Sequence, residues 1–336
     1  MTEEKTVAIA CQGGGSHCAF GAGVLIEMLE RLLERGALAR HGGTYRVMGF
    51  SGTSGGAVNA LLTWLGFVSP AGLRAGVEAL EGFWRDVMAV APLDAVANAT
   101  VVNMTRLQGV VPMVEVAPSL QFDWGQQRLR AVLERHVPFA RLHELVHTDS
   151  PQLYIGAANI VSGAFTVFGG AGRHSTVTVE QVLASAAVPE LFPPVKIDDN
   201  FYWDGLLSQN PPIRNFMRGR TRDSIPDEIW IIRINPIAHS PVPAQLADIR
   251  DRRNEMAGNL ALEEERYFIQ QVNNWVRRGL LPEKKHVAVH EISLERAVHG
   301  EDGLDYASKL DRNPVFIESL MMRGRKAAER FFSASA

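Results

Sequence analysis

The stretch Gly49-Phe50-Ser51-Gly52-Thr53-Ser54-Gly55-Gly56-Ala57 constrains this chain more than any other. Arg46-Val47-Met48 reads as the end of a short buried strand and Gly55 to Gly66 as an apolar helix, so Ser54 is predicted on the sharp turn between them. A serine held on a strained strand-to-helix turn needs small neighbours, because the backbone must fold tightly beneath it. Gly52 and Gly56 occupy those flanking positions. A chain with 30 Gly in 336 residues can carry a Gly-x-Ser-x-Gly by chance; its place between strand and helix is what makes this one a nucleophile elbow.

Upstream, Thr6 to Cys11 is a β-branched and apolar run that fits a buried strand, and Gly13-Gly14-Gly15 ends it abruptly. Gly21 to Glu34 then carries Val24, Leu25, Met28, Leu29 and Leu32 at helical spacing, with Glu27, Glu30, Arg31 and Glu34 on the other face. With a second strand over 46–50, this is a βαβ unit, which implies an α/β fold with a mainly parallel sheet covered by helices on both faces. Further along, the pattern predicts helices over 70–86, 124–136, 179–187, 244–278 and 306–332, and strands over 153–158, 164–168, 195–197, 228–235 and 286–292. Val87 to Phe122 is poor in charge, with Met88, Met104 and Met113 among small and apolar residues. It reads either as a segment lining the interior or as an apolar cover over a lipid-accepting cleft.

A glycine-rich loop between a first strand and a helix suits a dinucleotide, a phosphate or an oxyanion. The dinucleotide fingerprint fails, because the sixth position counted from Gly13 is Cys18 and the second strand ends without an acidic residue. A Walker loop fails because Gly-Lys followed by Ser or Thr is absent. An oxyanion hole fits both loops at once: adjacent parallel strands deliver their C-terminal ends to one edge, so the amides of Gly13 to Gly15 can face a carbonyl attacked by Ser54. The serine then needs a base. His239, His286, His290 and His299 are candidates after position 204, with His290 at a strand end, yet an α/β-hydrolase builds several strands before its nucleophile and Ser54 follows only the second.

These residues resemble the patatin-like phospholipase family. The matching parts are Gln12-Gly13-Gly14-Gly15 with Gly21-Ala22-Gly23-Val24, then Gly52-Thr53-Ser54-Gly55-Gly56 with Ala57-Val58-Asn59-Ala60, and finally Trp203-Asp204-Gly205. Ala184-Ser185-Ala186-Ala187-Val188-Pro189 and Phe192-Pro193-Pro194 also look like the family's approach to its aspartate, so the likeness covers about residues 5–215. The resemblance implies a three-layer fold, a Ser-Asp dyad of Ser54 as nucleophile and Asp204 as general base, Gly13, Gly14 and Gly15 as oxyanion hole, and neither cofactor nor metal. Read alone, Asp204 is also an ordinary turn residue before Gly205. The sequence departs from the family in two places: Ser16-His17-Cys18 stands where many members have Arg or Lys, and Asp204-Gly205-Leu206 where Asp-Gly-Gly is common.

The expected organisation is a catalytic core over 1–215, with 216–336 completing the core sheet and adding a largely helical C-terminal extension packed on it. The segments Asp251 to Leu260 and Asp305 to Arg312 look like an extension found in a bacterial subgroup of the family. It can pack across the sheet, mediate association into a homo-oligomer, or touch anionic headgroups. The expected function is metal-independent hydrolysis of lipid esters, of phospholipase A or lysophospholipase type. Its rivals are an esterase for short acyl or hydroxyacid esters, a His-assisted serine esterase, and a lipid-binding protein without turnover. A net charge of −3, from 34 basic and 37 acidic residues, gives no reason to expect nucleic acid. Two cysteines, Cys11 and Cys18, are too few for a disulfide framework, and no apolar run reaches the length of a span; a cytoplasmic protein with transient membrane-surface contact is expected.

Overall fold

Strand β1 (Lys5–Cys11) buries its last five residues in a row, as a strand covered on both faces does. The structure, a computed structural model, describes residues 4–40, 43–107, 124–189, 191–238, 242–243, 246–295 and 304–333. After β1 a 3-10 turn over Gly15–Cys18 leads into α1 (Ala19–Arg35), the amphipathic helix that the spacing predicts. β2 (Leu38–Arg40) folds back antiparallel on β3 (Gly43–Gly52), a hairpin too short to leave a period-two signal in the sequence. Helices α2 (Gly55–Val68), α3 (Leu73–Val87), α4 (Pro92–Leu107), α5 (Trp124–His136) and the single turn α6 (Leu142–Leu145) follow.

β4 (Gln152–Asn159) and β5 (Phe165–Gly170) form the expected hairpin around Ser162-Gly163. α7 (Val179–Ser185) starts on a capping box in which Thr178 and Gln181 satisfy each other's backbone N–H groups. Then come β6 (Val195–Ile197), β7 (Asn200–Asp204), β8 (Glu228–Arg233), the long α8 (Leu246–Arg277), β9 (Ala288–Ser293) and α9 (Pro314–Ser333). The helix expected over 306–332 is broken: a 3-10 turn over Ala307–Leu310 comes first, and α9 starts afresh at Pro314 with Asn313 Oδ1 accepting from Val315 N at 2.9 Å.

The nine strands among the described residues join one sheet in the order β6-β7-β4-β3-β1-β8-β9, with β2 on β3 and β5 on β4. The centre is parallel, since β1 pairs β3 and β8, β3 pairs β4, and β8 pairs β9 in that sense; the antiparallel pairings lie toward the β6 side and at β2. Side-chain alternation fixes the three layers. Val7, Ile9, Cys11, Trp230 and Ile232 face a core shared with α1, α2, α3 and α9, while Ala8, Ala10, Ile229 and Ile231 face a second core closed by Phe216 and by Leu262, Ile269 and Val272 of α8. Each fully buried Val or Ile in these layers contributes roughly 1.5–3 kcal/mol of hydrophobic stabilisation.

α4 does not line the interior. Asp94 and Asn98 face the protein beside buried Val102: Asn98 donates to Asp311 (2.7 Å) and Asp94 pairs with Arg128 (2.8 Å) and Arg312 (2.6 Å), while Leu93, Val96, Val101, Met104 and Leu107 are exposed. Polar anchoring outweighs hydrophobic burial here because α4 has an acid and an amide aimed at a cationic seat. The rest of the apolar stretch, 108–122, lies outside the described residues. Among the described residues no single helix is long and apolar enough to cross a membrane.

Candidate active site

Ser54 is the residue between β3 and α2, and its backbone sits at φ 56°, ψ −132°, a region that side-chain-bearing residues avoid at a cost of about 1–3 kcal/mol. The conformation is held from outside. Ser54 N–H donates to both the carbonyl (3.1 Å) and the hydroxyl (3.0 Å) of Ser185, and that hydroxyl donates to Gly156 O at 2.7 Å. Close approach, not backbone freedom, makes the flanking glycines necessary: a methyl on Gly52 would lie 2.3 Å from Gly56 O, and one on Gly56 would lie 2.2 Å from Cys11 O.

Register brings Asp204 to the same place. Ala157 and Ala158 pair with β5 on one edge of β4 and with β7 on the other, while Leu153 to Ile155 pair with β5 and with β3. β3 and β7 therefore share one edge of β4 and run toward each other, β3 ending at Gly52 opposite Ile155 and β7 at Asp204 opposite Ala157. Their ends meet across Gly156. A side chain there would strike Thr53 Oγ1 at 2.7 Å, so the gap between the two strand ends is closed by backbone.

The Asp204 carboxyl is 1% exposed. Burial pushes its pKa from 3.8 up to about 7, opposed by the nearby Ser54 hydroxyl and by Leu206 N–H, which donates to Oδ1 at 2.8 Å. Oδ2 is buried and among the described residues has no well-directed donor, so the serine hydroxyl is near the carboxylate without a closed hydrogen bond, as is common in sites without substrate. Leu206 fits where a glycine is common because it needs no positive φ; among described non-glycine residues only Ser54 and Asp198 have one.

The three loop glycines are not equivalent. Gly13 lies against Ser54, where a methyl would come within 2.8 Å of the serine Cβ, and its N–H is already engaged, donating to Asn210 Oδ1 at 2.6 Å. Gly14 is half-buried and Gly15 exposed. Behind the loop, buried Gln12 accepts from Ile234 N and Asn235 N (2.8 Å each) and donates to Asn259 Oδ1 (2.8 Å) and Gly258 O (3.2 Å) of α8. Asn210 Nδ2 also reaches Gly258 O, at 3.1 Å. Glu265, farther along α8, accepts from Gln209 Nε2, Ile213 N (2.8 Å) and Arg214 N (3.0 Å), fixing the loop that carries Asn210.

Asn210, Ser185, Gly156 and Glu265 escaped a reading of the sequence as functional residues. Asn210-Pro211-Pro212 is a local turn signal, but nothing in it announces a bond to Gly13, which is 197 positions away. His17, standing where many family members have a basic residue, is fully buried with Nε2 2.7 Å from Ser308 Oγ. The same Ser308 hydroxyl lies 2.9 Å from Asp305 O and accepts from Asp305 N at 2.9 Å, so the imidazole is tied to the turn ahead of α9. Cys11 and Cys18 are free and buried, and burial pushes the Cys18 thiol up to about 12.

The described candidate histidines His286 and His290 lie at the far edge of the sheet from Ser54. His290 lies on edge strand β9, three strand spacings or roughly 14 Å from β3, and its Nε2 faces Glu228 at 3.5 Å. His286 lies just before the same strand, and His239 and His299 are outside the described residues. Among the described residues no three His, Cys, Asp or Glu side chains are grouped to hold a metal ion.

A family model described as "Patatin-like phospholipase" matches residues 9–217. No curated protein matches by sequence. Among solved structures, VipD from Legionella pneumophila is similar over 95% of this chain and 67% of its own, at 12% identity and a TM-score of 0.38. ExoU, in its complex with SpcU from the type III secretion system of Pseudomonas aeruginosa, matches in two structures: 14% identity with TM-score 0.33 over 100% of this chain and 53% of ExoU, and 15% with 0.33 over 99% and 54%. The chain thus spans about half the length of ExoU.

Proposed function

The chain belongs to the patatin-like phospholipase family, whose membership implies lipid acyl hydrolysis, and on that premise we propose that it cleaves carboxylic esters of lipids with a Ser54–Asp204 dyad. The observation that carries this reading is the convergence of β3 and β7 on Gly156, which sets a strained, tethered serine beside a buried carboxyl tuned to about 7. Ser54 Oγ attacks the ester carbonyl carbon and passes its proton to the Asp204 carboxylate. The carbonyl π pair moves onto oxygen, where the amides of Gly14 and Gly15 and the N-terminus of α2 stabilise it; Gly13, its N–H held by Asn210, shapes the loop.

Collapse expels the alcohol, which takes the proton from Asp204. A water then attacks the acyl-serine as Asp204 accepts its proton, and the second collapse releases the acid and returns that proton to Ser54. Each step conserves charge without metal or cofactor.

Ser54→Ala and Asp204→Asn are expected to abolish turnover of a panel of phospholipids, lysolipids, acylglycerols and short-chain esters while both proteins remain folded by circular dichroism. Normal turnover by either variant refutes the dyad. A fluorophosphonate probe is expected on Ser54, and a label on another serine overturns the elbow assignment. Stoichiometric lipid binding with no product from any ester favours the binding protein without turnover.

A further inference from the structure

Behind the glycine loop lies a buried ammonium from the far end of the chain. Lys309, in the 3-10 turn ahead of α9, is 8% exposed, and its Nζ donates to Asn235 Oδ1 at 2.9 Å and to Asn254 Oδ1 of α8 at 2.6 Å. Its backbone carbonyl presses on Gly15, where a methyl would lie 2.2 Å from it. Asn235, itself 1% exposed, turns its amide the other way: Nδ2 donates to Gly13 O at 3.4 Å.

Gly13 C=O and Gly14 N–H belong to one peptide group. A donor on that carbonyl draws electron density toward oxygen and makes the N–H at the other end more positive, and in a chain of hydrogen bonds each link strengthens the next by about 10–30%. An ammonium at the head makes the first bond charge-assisted. We propose that Lys309 is a positioning residue for the oxyanion hole, acting through Asn235 to fix and polarise the Gly13–Gly14 peptide, whose N–H the Ser–Asp reading assigns to the developing oxyanion. The proposal rests on the Ser–Asp reading above.

The same geometry explains how the loop keeps a donor ready before substrate arrives. Gly14 N–H is a donor to the Cys18 thiol and lowers its pKa against the larger effect of burial. Sulfur is a weak acceptor, so the N–H is lightly held and an anionic oxygen can displace it. The neighbouring peptide is treated likewise, with Gly14 O accepting from His17 N at 3.2 Å.

The test uses the full chain, with wild type, Lys309→Met, Lys309→Gln, Asn235→Ser and the Lys309→Met/Asn235→Ser double variant. Three quantities are read: kcat and KM on a short-chain nitrophenyl ester, the rate of Ser54 phosphonylation by a fluorophosphonate, and the thermal midpoint. Losing a whole oxyanion donor costs roughly 100- to 1,000-fold in kcat, so weakening one is expected to cost about 10-fold. Lys309→Met should slow kcat and phosphonylation together by about that factor, with KM changed less than about 3-fold. Lys309→Gln, which keeps a donor for Asn235 without charge, should fall between. The double variant should be no slower than the slower single, because both act on one peptide.

A folded Lys309→Met or Lys309→Gln protein with wild-type kcat overturns the proposal, as do losses that multiply in the double variant. A lowered thermal midpoint with unchanged kcat at a temperature where the variant is folded does the same, reducing Lys309 to a strut. If the Met variant does not fold, the Gln variant and Asn235→Ser carry the comparison. Absence of label on Ser54 in the wild type sinks the dyad and this relay together, whereas labelling at equal rates in wild type and lysine variants sinks the relay alone.

Discussion

Asp204 couples chemistry to stability through one proton. In the proposed role of base it must be ionised, so kcat/KM is expected to rise with pH through an apparent pKa near 7 and to level off above it. Stability runs the opposite way. The carboxyl binds its proton more tightly when folded (about 7) than at its ordinary value of 3.8, so between these pH values the folded state holds the extra proton. Stability is then full below about pH 4, falls as pH rises toward 7, and stays reduced above. Asp204→Asn carries no such charge. Its gain over wild type in urea unfolding should be absent at pH 4 and reach on the order of 2–4 kcal/mol at pH 8. A gain equal at both pH values would mean that the buried charge is not the cause.

At the scale of elements, the candidate site is two strand ends and a loop braced from behind by a helix, α8. The carboxylate of Glu265 on α8 is buried among the donors of Gln209, Ile213 and Arg214, and burial raises its pKa. Glu265→Ala would leave those donors unsatisfied and is expected to cost roughly 3 kcal/mol or more. Loosening of the Asn210 loop should also slow phosphonylation of Ser54. Urea midpoints and labelling rates check the two effects separately, and loss of neither would remove α8 from the site's support. Legibility divides along the same line. The elbow, the glycine loop and the parallel centre of the sheet could be read from the sequence because each is a local pattern: apolar runs, glycines at fixed offsets, a helix period. The bonds from Asn210 to Gly13, Glu265 to Ile213 and Lys309 to Asn235 join residues between 52 and 197 positions apart and leave no local signature. α4 misled for the converse reason, since its apolar composition suggests burial while two polar residues, Asp94 and Asn98, decide which face turns inward.

For the whole molecule, the stretch that matches the family and the stretch that must fold together have different ends. The match stops at residue 217, yet β8 pairs with β1 through Val7 to Cys11 and supplies Trp230 and Ile232 to one core and Ile229 and Ile231 to the other. α9 lies on α1 almost backbone to backbone: a methyl on Gly23 would sit 1.9 Å from Met321 O, and one on Gly324 would sit 2.0 Å from Phe20 O. Cutting the chain after Met217 would bare one edge of a central strand, uncover the glycine face of α1, and remove Asn235, Gly258, Asn259 and Lys309 from behind the glycine loop. An exposed apolar edge strand pairs with its own kind, so a fragment of residues 1–217 is expected to aggregate or to lack a cooperative urea transition, and to leave Ser54 unlabelled. The alternative is that the matched stretch is a self-sufficient enzyme. A soluble fragment that unfolds cooperatively and labels Ser54 at the full-length rate would establish that, and would reduce everything after 217 to an accessory.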